Sequence, residues 1–336
     1  MAVGIEVFEK TFRNQIQADG EIKDLDFAFK EKFGDGGDEW PVEEHRYRLI
    51  WMPACPHAHK VVITRNLLGL DKVISLGTTG IYRTTDGWAF TEDPEEKDPV
   101  LGVHLLKEIY DRDYGEAGFP DRPTVPIIVD TKTGHAANND HFWHPIYLNT
   151  AWKPYHKKNA PDLYPEELRT EIDQWNQFIF KRINEGVYHV GFARSQDAYE
   201  KAFHLLFEAL DLLDERLEER RFLLGDYITD ADIRLYTTLV RFDAAYFQVF
   251  RANRNRLIDF KNLWPYARDI YQIPEIKEVT YFELYRKHYQ LSPHLKPLWG
   301  NTYSLVAKGP DANDWEESPG RENLSSHPGE KFKLEN

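Results

Sequence analysis

The segment "HRYRLIWMPACPHAHKVVITRNLLGLDKVISLG", residues 45–77, predicts a strand, a helix and a second strand in close succession. Its first residues alternate and end apolar, which is typical of a strand that enters a protein interior. Pro56 suits the first turn of a helix, where its missing N–H costs nothing. The residues after it carry apolar side chains at helical spacing, and Gly69 can end the helix. We therefore predict a β–α–β unit here.

Cys55, the single cysteine of the chain, lies directly before this predicted helix. The first N–H groups of a helix have no partner inside the helix, so they stabilise a thiolate over a thiol. Cysteines in such places can have pKa values of roughly 3.5 to 7.5. A free cysteine is otherwise commonly a small buried apolar residue. The position favours a reacting thiol, and we expect a lowered pKa for Cys55.

Metal binding is a second interpretation of the same segment, because His57 and His59 follow Cys55 at two-residue spacing. On a helix this spacing turns side chains away from one another. Zinc sites generally show tighter ligand pairs. The further histidines available to complete a cluster are His135, His141 and His144. The sequence alone predicts no metal site.

The chain downstream divides into two kinds of structure. Residues 124–130 and 134–139 read as a hairpin around the turn "TKTG", and residues 140–152 as a short helix. Long helical patterns follow, and residues 196–225 keep a period of 3.6 with charge on the opposite face. Thr229 and Asp232 have the spacing of an N-terminal capping box. We predict a small α/β domain followed by an all-α domain.

The predicted domain limits follow from these shifts in composition. The polar residues before the first strand are interpreted as an extension wrapped over the fold. The polar end of the chain is expected to be mobile or loosely draped. The predicted segments are an N-terminal extension at 1–44, an α/β domain at 45–155, an all-helical domain at 160–307 and a C-terminal tail at 308–336.

Composition limits the partners of the protein. The net charge of −14 argues against binding a nucleic-acid backbone or an anionic membrane surface. No segment approaches the roughly 20 apolar residues that span a bilayer, and the first residues lack a signal-peptide pattern. A single cysteine cannot form an intramolecular disulfide. It also cannot resolve its own mixed disulfide, so the second thiol must come from outside. We expect a cytoplasmic protein.

The motif "CPHAHK" at 55–60 resembles the Cys-Pro-Trp-Ala-His-Arg motif of the Xi-class glutathione transferases, the glutathionyl-hydroquinone reductases. The resemblance continues through "RPTVPIIVD" at 122–130, "INEGVYHVGFARSQDAYEKA" at 183–202 and "TDADIRLYTTLVRFD" at 229–243. It covers about residues 40 to 310. It implies a thioredoxin-like domain joined to an all-helical domain, glutathione as co-substrate and a homodimer. It also implies removal of glutathione from glutathionyl-hydroquinones through an enzyme–glutathione mixed disulfide.

The resemblance implies a role for several residues. Cys55 matches the family's nucleophile, and Val125 precedes Pro126 at the position of its cis-proline, where backbone pairs with the thiol peptide. Trp88 matches a tryptophan that lines the thiol site. Tyr188 and Tyr289 match tyrosines that bind the hydroquinone over the cysteine. A further candidate for this pocket is Tyr246.

The chain departs from the family at the thiol-binding positions. His57 and Lys60 replace the family's Trp and Arg, and Asp140-His141 replaces a Glu-Ser pair that holds the γ-glutamyl end of glutathione. Asp has a shorter reach than Glu, and His is larger than Ser. Two alternatives therefore stay open: the same chemistry with a different small thiol, such as γ-glutamylcysteine or cysteine, or a non-catalytic thioredoxin-fold binding protein.

Overall fold

The computed structural model describes residues 8, 11–300 and 303–335. The predicted β–α–β unit is present as β1 (Tyr47–Trp51), α1 (Pro56–Leu67) and β2 (Ser75–Thr78), and β1 and β2 are parallel. All five residues of β1 are buried. The second strand, predicted over "KVISLG" at 72–77, begins only at Ser75, because the N–H groups of Val73 and Ile74 both bond to the Leu70 carbonyl and keep the chain turning.

The predicted hairpin is also present, as β3 (Ile127–Asp130) and β4 (Ala136–Asn138). These strands are antiparallel, and β3 pairs antiparallel with β1 on its other side. The sheet order is β2-β1-β3-β4. Two helices complete this domain, α2 (Leu106–Tyr114) and α3 (His144–Asn149). The predicted α/β domain is confirmed.

The second domain is helical, as predicted. Its helices are α4 (Arg169–Ile179), α5 (Gly186–Phe192), α6 (Gln196–Arg216), α7 (Asp230–Arg241), α8 (Phe247–Val249), α9 (Leu263–Tyr271), α10 (Pro274–Lys277), α11 (Phe282–Leu291) and α12 (Lys296–Trp299). A π-helical turn follows α4 at Phe180–Asn184, and another follows α7 at Phe242–Tyr246. All twelve residues of α7 are buried. This helix is the centre of the domain.

The start of α7 carries the predicted capping box. The Asp232 carboxylate accepts the Thr229 N–H at 2.8 Å and the Thr229 hydroxyl at 2.9 Å. The end of α7 reaches the other domain. The Arg241 guanidinium donates to the carbonyl oxygens of Ala54 at 2.8 Å and Pro53 at 3.1 Å. The helical domain therefore holds the loop that leads into Cys55.

The described part of the N-terminal extension lies against the domains. The backbone N–H of Phe29 donates to the Asn139 side chain, and the Asn139 N–H donates to the Phe29 carbonyl, each at 2.9 Å. Phe33 packs on Trp152 with ring centroids 4.6 Å apart. Among residues 8, 11–300 and 303–335, no helix is long and apolar enough to cross a membrane.

The C-terminal tail differs from its expected loose state. Trp315 is buried and packs edge-on against Trp264 at 4.8 Å. Arg321 is also buried and donates to the Leu217 carbonyl at 2.7 Å. The prediction of a mobile or loosely draped tail is wrong, because two side chains anchor an otherwise polar segment. The four domain limits predicted from the sequence remain predictions.

Candidate active site

Cys55 is the N-cap residue of α1, as the sequence predicts. Its backbone is extended, with φ −72° and ψ 119°, and its side chain makes no capping hydrogen bond to any described residue. The thiol Sγ instead lies 3.6 Å from the carbonyl oxygen of Val125, to which it donates. The Val125–Pro126 peptide bond is cis. The sulfur is therefore held between the first turn of α1 and the backbone that precedes β3.

The electrostatics of Cys55 differ from the prediction. Burial raises the pKa of the thiol, whereas the N–H groups of Ala58 and His57 and the positive charges of Arg241 and Lys60 lower it. Burial is the largest of these effects, so the net direction is upward. The expected lowering of the Cys55 pKa is wrong. A position before a helix predicts donors, but it does not predict how much solvent the fold removes.

A cavity opens beside Cys55, between the two domains and the N-terminal extension. Its empty space is about 890 Å³, counting the part open to solvent. Six of the residues predicted for the site line it: Cys55, Trp88, Val125, His141, Tyr188 and Tyr289. Three others lie outside the lining: Pro126, Asp140 and Tyr246. The extension contributes Phe12, Gln15, Ile22, Leu25 and Phe27 to the wall.

The tyrosines form a hydrogen-bonded group opposite the thiol. The Tyr188 and Tyr289 hydroxyls are 2.8 Å apart, and the Tyr246 hydroxyl is 3.1 Å from that of Tyr289. Tyr246 is fully buried, so it supports Tyr289 from behind instead of lining the cavity. Burial raises the pKa of Tyr289 to about 12, and it also raises the pKa of Tyr188 and of Tyr246. All three phenols keep their protons at neutral pH.

Two π-helical turns place these tyrosines. Tyr188 lies in α5, which follows the turn at Phe180–Asn184, and Tyr246 ends the turn at Phe242–Tyr246. Such turns insert an extra residue into a helix and are frequent at functional sites. They redirect the helix that carries each phenol. Helical periodicity alone cannot predict them.

A polar group adjoins the tyrosines on the cavity wall, where the His57 ring lies 5.9 Å from that of Tyr188. The rings of His57 and His141 stack, with centroids 4.1 Å apart and an interplanar angle of 20°. Nε2 of His57 lies 3.1 Å from Oε1 of Glu185, and Nδ1 of His141 lies 3.4 Å from Nζ of Lys60. Burial lowers the pKa of both histidines, that of His141 well below its usual value, and lowers the Lys60 pKa to about 7.

Asp140 does not line the described cavity, where a carboxylate that binds the thiol substrate is expected. Its Oδ1 accepts the Phe142 N–H at 3.2 Å, within the turn that leads into α3. Burial raises the pKa of this carboxyl group. Glu185 is a carboxylate that does line the described cavity. Its neighbours there come from distant parts of the chain, so no local pattern marks it.

Two arginines were also missed by the sequence analysis. Arg122 lines the cavity, stacks over Phe12 at 4.7 Å and donates to the Gln15 side chain at 2.5 Å. Arg241, described above, holds the loop before Cys55. A signal for Arg241 exists in the sequence, because a charged residue within a helix as apolar as "IRLYTTLVRF" needs buried partners. No comparable signal marks Arg122.

The fold and the site together define a class of protein. A thiol at the start of the helix after β1, facing a helical domain across a cavity, is the arrangement of a glutathione transferase. In agreement, residues 196–269 match the family model described as "Glutathione S-transferase, C-terminal domain". The class is therefore supported by the thiol-bearing domain and the helical domain independently.

The relatives narrow the class to a family. The chain is 37% identical over 280 residues to glutathionyl-hydroquinone reductase YqjG of Escherichia coli, covering 83% of this chain and 81% of that protein. The glutathione-bound structure of YqjG matches with a TM-score of 0.79 at 34% identity, over 88% of this chain and 96% of that chain.

Two other solved structures agree. A glutathione transferase from Gordonia bronchialis matches with a TM-score of 0.84 at 41% identity, over 93% of this chain and 96% of that one. A Xi-class transferase from Natrialba magadii matches with a TM-score of 0.80 at 36% identity, over 88% and 89%. The chain belongs to the Xi-class glutathione transferases, the family of the glutathionyl-hydroquinone reductases, and is an enzyme.

Proposed function

We propose that this enzyme removes glutathione from glutathionyl-hydroquinones through a mixed disulfide between glutathione and Cys55. The observation that carries the proposal is the placing of the Cys55 thiol and the paired Tyr188 and Tyr289 hydroxyls in the lining of one cavity. One side supplies a nucleophile and the other supplies donors for an aromatic diol. The names of the relatives and the glutathione-bound structure of YqjG support the same assignment.

The first step transfers the glutathionyl group to the enzyme. The Cys55 thiolate attacks the sulfur of the conjugate, so a sulfur–sulfur bond forms as the bond from sulfur to the ring carbon breaks. The electron pair of the broken bond stays on the ring carbon, which takes up a proton, and hydroquinone leaves. The ring carbon is reduced, and the two sulfurs are oxidised to a mixed disulfide.

The second step restores the thiolate. A second glutathione, as its thiolate, attacks the mixed disulfide and leaves as glutathione disulfide. Because Cys55 is the single cysteine of the chain, this thiol comes from solution. The overall reaction consumes one conjugate and one glutathione, and it yields one hydroquinone and one glutathione disulfide.

Binding roles follow from the lining. Tyr188 and Tyr289 are neutral phenols, so each donates a hydrogen bond to a hydroquinone oxygen while its ring packs on the substrate. The backbone at Val125 pairs with the peptide of glutathione in the manner of an added strand. Trp88 and His141 line the cavity that holds the Cys55 thiol. The homodimer and the cytoplasmic location expected from the sequence remain predictions.

The test uses a glutathionyl-hydroquinone and glutathione as substrates. We expect hydroquinone and glutathione disulfide in equal amounts, followed by chromatography. Incubation of the enzyme with glutathione disulfide should leave one adduct in intact-mass spectrometry, and Cys55→Ser should abolish it. A Tyr246→Phe variant, altered behind the cavity, is the matched control that keeps the adduct.

A second candidate is the same chemistry with another small thiol. The observation that favours it is the stacked His57–His141 pair, which stands where the family has Trp and Ser. An adduct formed from a different biological disulfide, with none from glutathione disulfide, would replace glutathione in the proposal and keep the two steps. If no disulfide gave an adduct, the mixed disulfide with Cys55 would be ruled out as the intermediate.

A further inference from the structure

His57, His141 and Glu185 come together from three separate parts of the chain. His57 lies in α1, His141 precedes α3 and Glu185 directly precedes α5. Each side chain offers one ligating atom, and these three atoms all lie within 4.8 Å of one another. All three residues also line the cavity beside Cys55. We propose that this trio binds a divalent transition metal ion, of which Zn²⁺ is the best match.

The donor set determines the metal class. Two imidazoles and one carboxylate form a known zinc ligand set, which leaves a fourth position for water. Imidazole nitrogens suit Zn²⁺ and its transition-metal neighbours, whereas Mg²⁺ and Ca²⁺ prefer oxygen ligands throughout. The trio therefore has the chemistry of a three-ligand zinc site.

The geometry needs only a modest closure. Ligands about 2.0–2.1 Å from a tetrahedral zinc ion lie about 3.3 Å from one another. Nε2 of His57 and Oε1 of Glu185 are already 3.1 Å apart. The His141 ring stacks on that of His57, and its ligating atom lies within 4.8 Å of the other two, so the third ligand has to move by no more than about 1.5 Å. A salt bridge between His57 and Glu185 alone would not require His141 at this distance.

The charges around the trio act in both directions. Nζ of Lys60, 3.4 Å from Nδ1 of His141, disfavours a cation. On the other side, Asp24 and His189 form a pair at 2.9 Å, and their ligating atoms lie within 4.8 Å of that of Glu185. Three arginines add positive charge: Arg122 lines the cavity, Arg241 acts on the His57 imidazole and Arg234 acts on that of His141. The carboxylates of Glu185 and Asp24 are the negative charges that offset them around a bound cation. Glu185 belongs to both clusters, which makes it the residue to test.

Metal binding to this trio does not depend on the proposed function. The effect of the metal on catalysis does rest on the proposed function, because an ion on the cavity wall beside Cys55 would occupy the space next to the thiol and inhibit turnover. Sγ of Cys55 is not one of the three ligating atoms. A variant without the thiol should therefore still bind the metal, and this separates the trio from simple thiolate capture of zinc.

The experiment is equilibrium dialysis of the full chain against zinc chloride in thiol-free buffer. We expect one zinc ion per chain in the wild type and in Cys55→Ser. In the Cys55→Ser background, His141→Ser and Glu185→Gln should each weaken binding at least ~10-fold. His135→Gln is the matched control, because that histidine pairs with Asp113 outside the cavity. It should leave the affinity unchanged.

Zinc-dependent thermal stabilisation gives a second readout. A ligand that binds only the folded state raises the melting temperature, so the rise should appear in Cys55→Ser and disappear in the trio variants. Thermal melting in EDTA shows whether each variant is folded without metal. If His141→Ser does not fold, the test relies on Glu185→Gln. No stoichiometric zinc in the wild type would overturn the proposal. Binding that Cys55→Ser loses and His141→Ser keeps would overturn it as well.

Discussion

The N-termini of α1 and α7 are two helix starts with opposite uses. At α7 the Asp232 carboxylate accepts the N–H and hydroxyl of Thr229, and it also accepts the Leu223 N–H at 2.8 Å and the Tyr266 hydroxyl at 2.9 Å. At α1, Cys55 makes no capping hydrogen bond to any described residue. Its neighbouring N–H groups face a thiol. One helix start uses its donors for structure, and the other keeps them for a charge that forms during reaction.

Burial raises the pKa of an acidic side chain at both helix starts. It raises the pKa of Asp232 and of Cys55, because removing water penalises the charged form of each acid. Asp232 meets this cost with four hydrogen bonds. For the Cys55 thiolate, the helix N–H groups and the Arg241 charge offset this cost only in part. The comparison predicts that changes at α7 act on stability, whereas changes at α1 act on chemistry.

The largest effect is expected for Cys55→Ser. Loss of the nucleophile should lower kcat/KM for the glutathionyl-hydroquinone at least ~10³-fold. Serine is a preferred N-cap residue, so the same change should leave stability unaltered or raise it by about 0.5–1 kcal/mol. Steady-state kinetics and urea unfolding measure the two quantities. Substantial residual turnover would contradict the role of Cys55.

Asp232→Ala should produce the converse result. Four donors lose their acceptor in a buried site, at a cost of roughly 1–3 kcal/mol for each group left unsatisfied, so a loss of about 3 kcal/mol or more is expected in urea unfolding. Activity per folded molecule should stay close to the wild-type value. Asp259→Ala, at an exposed capping box with Arg256, is the control and should cost far less. Equal losses of unfolding free energy in the two variants would show that burial does not make the Asp232 cap more important for stability than the Asp259 cap.

Tyr188→Phe and Tyr289→Phe test the opposite wall of the cavity. Each removes one hydrogen bond and keeps the ring, so transition-state binding should weaken by about 0.5–1.5 kcal/mol, or roughly 2- to 10-fold in kcat/KM. The rate of Cys55 alkylation should not change much. Wild-type kinetics in both variants would show that these phenols only pack.

The smallest effect concerns the titration of Cys55. Burial raises its pKa, so the alkylation rate with iodoacetamide should rise with pH through an inflection above the usual value of about 8.5. By linkage, the stability associated with this thiol is fully present below the unfolded pKa and is lost as pH rises through the folded pKa.

Two comparisons sharpen the titration. Arg241 lowers the Cys55 pKa, so Arg241→Met should move the inflection further upward. Denatured protein should return it to the ordinary value. An inflection below about 8.5 in the native wild type would mean that the donors of α1 outweigh burial, which is the expectation from sequence alone.

The sequence by itself determined the features that depend on neighbours a few residues apart. The β–α–β unit, the hairpin, the Thr229–Asp232 box and the place of Cys55 before α1 all follow from local spacing. The resemblance to a family added Tyr188 and Tyr289, whose hydroxyls are 101 positions apart in the chain yet 2.8 Å apart in space. No pattern in the residues alone would have paired them.

The tertiary structure decided what depends on distant contacts and on water. It raised the pKa of Cys55, placed Tyr246 behind Tyr289 and anchored the tail through Trp315. It also brought His57 and His141 next to Glu185. Local sequence encodes backbone preference and available donors. Desolvation and long-range pairing arise only when separate segments exclude solvent together, and these two effects set the chemistry of the site.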